Sequence, residues 1–429
     1  MGEKQSETPL ARGKTKAIFA MKDNPELVLI ESFDSLTAFN AKRKDTVSGK
    51  AAAATRTTCN VFQFLSGAGC QTHFVKQAGD CEFVAKRCEM IPIEWVARRI
   101  ATGSFLKRNP GVEEGYVFPT PKIETFFKDD ANDDPQWSEE QILANKFVYC
   151  GGKRRIGRSE VDIMKRWTSA IFRLLERAWM VHGCVLVDMK IEFGVDTKGN
   201  ILLADVVDND SWRVWPNGDR RLQLDKQFYR DLKDVTDDAL VELKKNYDKV
   251  AELTSKFTNS SAQSKIVIVM GSSADLEYTK KIETEAKKLG VADVERRICS
   301  AHKSTAEVLQ LADKYEAQMS ASNSASIVFI AVAGRSNGLG GVLSASSTIP
   351  VISAPPLSGE WGPHDIWSSI RMPSGVGCTT VFGPDEAALA ACKILAQTNH
   401  TVFSKILARQ TVNVVKILED DNQLNNNEE

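Results

Sequence analysis

Between residues 186 and 213 the chain reads LVDMKIEFGVDTKGNILLADVVDNDSWR, and its charged positions are spaced for chemistry. Asp188, Lys190 and Glu192 alternate with Val187, Met189, Ile191 and Phe193, so a strand period of two gathers the charges on one face. Turn-forming residues at 196–200 fold the chain back, which places Asp205 to face Glu192 across the hairpin. Two facing carboxylates repel unless a cation lies between them, and Mg²⁺ carrying nucleotide phosphates suits that position. Asp208, Asp210 and Arg213 extend the polar run. The same alternation also describes a half-exposed hairpin with a solvated outer face, and the pattern alone leaves both readings open.

A second set of chemical residues follows four short apolar runs in the C-terminal part. The runs end in Gly271-Ser272-Ser273-Ala274-Asp275, in Ser300-Ala301-His302-Lys303, in the stretch AGRSNGLGG that carries Arg335 and Ser336, and in SAPPL. Small and polar groups with Arg335 suit a phosphate, and His302 beside Lys303 suits a proton carrier next to an anion.

The elements that must position these residues follow from periodicity and punctuation. Residues 11–19, ARGKTKAIF, read as a small basic turn between two short strands. The GKT triplet is not a phosphate loop, because Thr8 stands where that motif needs its first glycine. Ile91, Ile93, Trp95 and Ala97 alternate as a strand, and Pro92 removes one ladder donor, so the backbone at Glu89 and Met90 is expected to be an edge or connector able to read an adenine. Arg98, Arg99 and the Thr102-Gly103-Ser104 turn suit an oxyanion or phosphate, and equally a capped turn with surface arginines; the residues alone leave both open. Residues 109–160, with four prolines and an acidic stretch, read as a loop-rich excursion ending in a helix at 138–146. Apolar residues at helical spacing predict a core helix over 159–181, and Thr236 is the expected N-cap of an amphipathic helix over 237–257.

At 258 the composition shifts. TNSSAQS, residues 258–264, reads as a linker between a domain at 1–257 and another at 265–429. Beyond it, strands at 265–270, 294–299, 327–332 and 350–353, with helices at 276–289 and 305–317, predict a doubly wound parallel sheet whose ligands bind beyond the strand ends. At 429 residues the chain is long enough for two domains, or three at most, and 42% hydrophobic and 26% charged residues with a net charge of -1 describe an ordinary globular protein, not a nucleic-acid binder. No run is long and apolar enough to span a bilayer, and the polar start lacks a signal-peptide core, so no membrane partner and a cytosolic location are expected. Nine scattered cysteines without a CxxC pair fit reduced thiols.

The stretches MIPIEWVARRIATGS (90–104) and LVDMKIEFG (186–194) resemble the two signatures of SAICAR synthetase, an ATP-dependent ligase of purine biosynthesis. GSSAD, SAHK and AGRSNGLG resemble class II AIR carboxylase, which is fused to that ligase in animals. The resemblance implies an ATP-grasp or kinase-like α+β ligase domain followed by an α/β carboxylase domain, assembled as a homo-octamer. It implies that AIR and CO₂ give CAIR, and that CAIR, L-aspartate and ATP then give SAICAR, with Mg²⁺ and without biotin. On the matching positions, Gly13, Lys14, Lys16, Glu89 and Met90 would hold ATP, with Glu192 and Asp205 at the metal. Arg98, Ser104 and Arg213 would hold CAIR, with Asp188 and Lys190 at the reacting centre. Ser272, Ser273, Asp275, Arg335 and Ser336 would hold the ribose phosphate in the carboxylase, with His302 and Lys303 catalytic. Two stretches depart from the pattern: Ser304-Thr305-Ala306-Glu307 stands where GPDE is usual, and residues 344–347 read SASS in place of SGNT. They leave a second reading in view, an active ligase whose carboxylase half is impaired and mainly drives assembly.

Overall fold

Alternation within strands and apolar stripes on helices produce two compact units, Met1–Thr258 with Leu407–Glu429, and Asn259–Ile406. They are seen in a computed structural model that describes residues 4–38, 43–232, 234–322, 325–357, 359 and 362–426.

Among the described residues the first unit holds, besides two small two-stranded sheets, two five-stranded antiparallel ones. One has the order β1-β2-β3-β5-β4, built from β1 (Ala11–Arg12), β2 (Lys16–Ala20), β3 (Leu27–Ser32), β4 (Phe74–Gln77) and β5 (Glu82–Lys86). Helix α1 (Lys50–Ala68) covers it and also packs on α3 (Asp237–Thr254). Thr236 caps α3 by accepting from the Ala239 amide. The other sheet carries most of the chemistry. Its strands are β6 (Cys88–Ile100), β7 (Val117–Phe127), β8 (Cys184–Asp196), β9 (Ile201–Ala204) and β10 (Trp212–Pro216), in the order β9-β8-β6-β7, with β10 also paired to β8. Helix α2 (Arg158–Val181) lies on β8 and β6 with Ile163, Trp167, Ile171 and Leu174 buried.

Strand β7 corrects the loop-rich reading of residues 109–160. Pro119 and Pro121 suggested loop, yet both sit in an eleven-residue strand at the end of the sheet order, where a missing ladder donor is tolerated. The solvated-hairpin reading is corrected too, because both faces of β8 are covered. Asp188 and Glu192 are buried alongside Val187, Met189, Ile191 and Phe193.

The second unit is the doubly wound parallel sheet that the strand–helix alternation predicts. Its strands are β11 (Gln263–Met270), β12 (Asp293–Ile298), β13 (Ala325–Val332), β14 (Val351–Ser353) and β15 (Thr379–Thr380), all parallel in the order β12-β11-β13-β14-β15. The two-residue β15 carries too little pattern to be read beforehand, and β11 starts at Gln263, inside the segment read as linker. Period two divides β11 between two cores. Ile266, Ile268 and Met270 face α4 (Leu276–Lys288) and α7 (Pro384–Leu395), whereas Val267 and Val269 face α5 (Thr305–Ser320) and α6 (Gly338–Ser346). Helix α8 (His400–Asn426) adds Val402 and Ile406 to the first of these cores. No helix among the described residues is long and apolar enough to cross a membrane.

Candidate active sites

The site in the first unit is built on three adjacent strands. Asp188 on β8 lies opposite Arg98 on β6 and Arg213 on β10, so one carboxylate bridges two guanidinium groups. The Arg98 Nη1 to Asp188 Oδ2 distance is 2.7 Å, and Arg213 Nη1 is 3.1 Å from the same oxygen. Arg98 also donates through Nε to Glu124 of β7, which takes Arg108 at 2.8 Å on its other oxygen. Three arginines against two carboxylates leave a net positive charge, which is what an anionic substrate needs. Ser104 is exposed at the start of the short helix Ser104–Arg108, behind Gly103. Gly103 has φ +61°, and a Cβ there would stand 2.6 Å from the Arg213 guanidinium nitrogens. Gly103→Ala should therefore displace Arg213 and raise the KM for an anionic substrate held there about tenfold, the equivalent of about 1.4 kcal/mol, in steady-state assays.

Four residues along β8, a second rung is charged as well. Glu192 pairs with Ala204 of β9 and with Glu94 of β6. The expectation that Glu192 faces Asp205 is thus wrong by one position: β9 stops at Ala204, and Asp205 follows with φ +64°. The carboxylate opposite Glu192 is Glu94, and Lys190 joins the two, 2.6 Å from Glu192 and 3.1 Å from Glu94. Lys128, just past the end of β7, adds a second cation 2.8 Å from Glu192. Burial alone would push the Glu192 carboxyl up, but Lys190 and Lys128 hold it down at about 2. Burial would push Lys190 down, and Glu192 and Glu94 keep it above its ordinary value.

Asp205 is paired instead with Lys16 of β2. Burial pulls the Lys16 ammonium down to about 8, despite Glu192 nearby. Gly13 makes the basic turn by donating to the Lys16 carbonyl at 2.9 Å, and Lys14 reaches Asp130 at 3.0 Å. Asp210 sits apart from Glu192: it accepts from Tyr247 at 2.6 Å and Lys226 at 2.9 Å, and burial opposed by Lys50 and Lys226 leaves its carboxyl well below the usual range. Glu89 and Met90 are not in a connector but in β6, paired with Val195 and Gly194. The pairing of β7 with β6 reaches only Ile93, so on that side the Glu89 and Met90 backbone has no strand partner, and the expectation of an edge survives in part. Close packing of β8 here requires Gly194, whose added Cβ would lie 2.7 Å from that of Cys88.

Glu94, Lys128 and Glu124 were missed by the sequence reading. Glu94 and Arg98 lie on the face of β6 opposite Ile93, Trp95 and Ala97, so the alternation did contain that signal. Among the described residues no cluster of three or more His, Cys, Asp or Glu could hold a metal. Glu192 and Asp205 are each held by lysines, Glu192 by Lys190 and Lys128 and Asp205 by Lys16.

In the second unit the sheet order reverses between β11 and β13, the crevice where doubly wound folds bind ligands. Ser272, Ser273 and Asp275 follow β11, Arg335 and Ser336 follow β13, and the two loops touch, Gly271 donating to the Val332 carbonyl at 2.9 Å. Burial raises the Asp275 carboxyl. His302 and Lys303 lie on the loop after β12, on the other side of β11, where Cys299 donates to the Met270 carbonyl. Gly334 packs on the Pro356 carbonyl of the fourth loop. All four loops therefore converge on one sheet edge. The departures are structural in character. Ser304 Oγ closes the His302 loop on Ser300, and Ser347, past the C-terminal end of α6, donates to Glu316 of α5 at 2.7 Å. Residues 345–347 thus sit at the end of α6 remote from the loop that carries Arg335.

Comparison with known proteins decides the family. Residues 9–247 match the family model of SAICAR synthetase, and residues 265–414 that of AIR carboxylase. The chain belongs to the fused SAICAR synthetase and AIR carboxylase family. It is 52% identical over 400 residues, 93% of this chain and 92% of the other, to the human bifunctional phosphoribosylaminoimidazole carboxylase/phosphoribosylaminoimidazole succinocarboxamide synthetase. It is 53% identical over 415 residues, 97% of this chain and 96% of the other, to a probable multifunctional protein of Caenorhabditis elegans. The synthetase half is similar to the crystal structure of phosphoribosylaminoimidazole-succinocarboxamide synthase from Ehrlichia chaffeensis, with TM-score 0.51 and 30% identity over 58% of this chain and 98% of that one. A SAICAR synthetase solved in complex with ADP matches with TM-score 0.50 and 29% identity over 57% of this chain and 96% of that one.

Proposed function

We propose that the chain carboxylates AIR at C4 with CO₂ to give CAIR, and joins CAIR to L-aspartate with ATP to give SAICAR, ADP and phosphate. The observation that carries this reading is the double rung on β8: Asp188 between Arg98 and Arg213, then Glu192 between Lys190 and Lys128. Arg98 and Arg213, with Ser104 beside them, fit the anionic groups of CAIR. Lys14, Lys16 and the Gly13 turn fit nucleotide phosphates, and the open edge at Glu89 and Met90 fits the adenine. Glu192 and Asp205 would hold Mg²⁺, which when bound offsets the phosphate charge. Lys190, half-buried between Glu94 and Glu192, remains charged and steadies the carboxylate of CAIR as it accepts phosphate. The amine of aspartate then displaces the phosphate, and this needs positioning more than a protein nucleophile. CAIR labelled with ¹⁸O in its carboxylate should pass one label into the released phosphate, and unlabelled phosphate would contradict this order of events.

In the second unit the loops after β11 and β13 fit the ribose phosphate of AIR. C4 attacks CO₂, the C4 proton leaves to His302, and Lys303 neutralises the new carboxylate. No biotin is required, because the aminoimidazole carbon is itself nucleophilic. Assembly as a cytosolic homo-octamer belongs to the same proposal. Exposed Leu357, Trp367, Ile370 and Phe382 support self-association, and sedimentation should give eight times the 47.4 kDa chain mass.

Lys16 sets a pH limit. Its ammonium binds phosphate only when charged, and in the free protein it loses its proton near pH 8. kcat/KM for ATP should fall as pH rises through about 8, and Lys16→Arg should move that limb to higher pH.

A further inference from the structure

His302 carries the proton in the proposed carboxylation, yet its ring makes no hydrogen bond among the described residues and is exposed on its loop. A general acid–base histidine is ordinarily oriented by a third group on its second nitrogen. What touches the ring here is backbone: a Cβ added at Gly338 would stand 3.1 Å from both Cε1 and Nε2, so the imidazole rests against the glycine's α-carbon. Gly338 begins α6, and the residue before it is Asn337, fully buried and bonded on every side. Its amide donates to Ser368 Oγ at 2.9 Å, its Nδ2 donates to Ser369 Oγ at 3.0 Å, and its Oδ1 accepts from the Gly340 amide at 3.1 Å. The two serines are themselves fixed. Ser368 Oγ donates to the Asp365 carbonyl, and the Ser369 carbonyl accepts from Thr380 of β15.

We propose that Asn337 is a positioning residue for the carboxylase reaction: by tying the start of α6 to Ser368 and Ser369 it fixes Gly338 as the platform that orients His302. Orientation by shape leaves both ring nitrogens free for the C4 proton and for water, which a carboxylate partner would not. This inference rests on the reading of His302 as proton carrier.

Three variants of the full chain test it. Asn337→Ala should lower kcat for AIR carboxylation about 10- to 100-fold, with the KM for AIR within about threefold, because misplacing a catalytic group costs rate before it costs binding. Asn337→Asp, which still accepts from Gly340 and can accept from Ser369, should recover kcat to within about threefold of the parent. Gly338→Ala, which pushes directly on the ring, should reproduce the Asn337→Ala loss with Asn337 intact. SAICAR formation from supplied CAIR should be unchanged in all three. Ring resonances of His302, assigned through His302→Gln, should broaden or shift in Asn337→Ala. Full carboxylation by Asn337→Ala, or a loss that Asp does not restore, would overturn the proposal. If the parent chain itself fails to carboxylate AIR, the reading of His302 falls instead, and unchanged His302 resonances in Asn337→Ala would then overturn the platform independently.

Discussion

Replacing Glu192 by Ala should lower SAICAR formation from CAIR, aspartate and ATP by about 10²- to 10³-fold or more, the cost of removing a preorganised charge from a desolvated site. Glu192 is 2% exposed and takes both Lys190 and Lys128, so its loss leaves Lys190 with Glu94 alone and frees Lys128. Carboxylation of AIR by the same variant should be unchanged, because the loops that fit AIR lie in the other unit. Glu192→Gln separates charge from shape: it should keep the fold and lose the activity. The same carboxyl predicts an acid limit to stability. Its folded-state value is depressed to about 2 from an ordinary 4.5, so its contribution is present above about pH 4.5 and is lost as pH falls toward 2. Thermal unfolding of parent and Glu192→Gln should therefore differ most above pH 4.5 and converge below it.

The second large effect is expected at His302. Replacement by Gln should lower carboxylation by about 10²- to 10⁴-fold, the ordinary worth of a positioned proton carrier, while supplied CAIR is still converted to SAICAR. The exposed ring packs on Gly338 without sealing a core, so Gln should leave the unfolding temperature within a degree or two. Loss of both activities together would mean that the substitution acts through folding or assembly. Taken with Glu192→Ala, the result is a double dissociation: each variant loses one reaction and keeps the other.

How far these sites were legible depended on the periodicity around them. The alternation through Ile91, Ile93, Trp95 and Ala97, and through Val187, Met189, Ile191 and Phe193, located β6 and β8, and with them Arg98, Asp188, Lys190 and Glu192. The same pattern could not show that a covering layer buries the charged face, because period two reports which residues share a face and not what lies over it. Register was the weaker inference. Placing Asp205 opposite Glu192 required knowing where the hairpin ends, and a slip of one residue puts Ala204 there and leaves Asp205 to Lys16. Lys128 and Glu124 were hidden for another reason: Pro119 and Pro121 made β7 read as loop, and only its edge position reconciles prolines with a strand. The second unit was more readable. Buried parallel strands are short continuous apolar runs, and the rule that ligands collect at their carboxyl ends converts strand ends into candidate residues with no need for register. Asn337 escaped notice because its work is done through Ser368 and Ser369, more than thirty positions away in sequence.

One experiment tests the central claim, that two separate active sites share this chain, most directly. The protein is given AIR and bicarbonate with ATP and aspartate withheld, and these are added after CAIR has been quantified. The account predicts that CAIR accumulates in the first stage and is converted to SAICAR in the second. Conversion of externally supplied CAIR alone, with none formed from AIR, would contradict it and reduce the second unit to a platform for assembly.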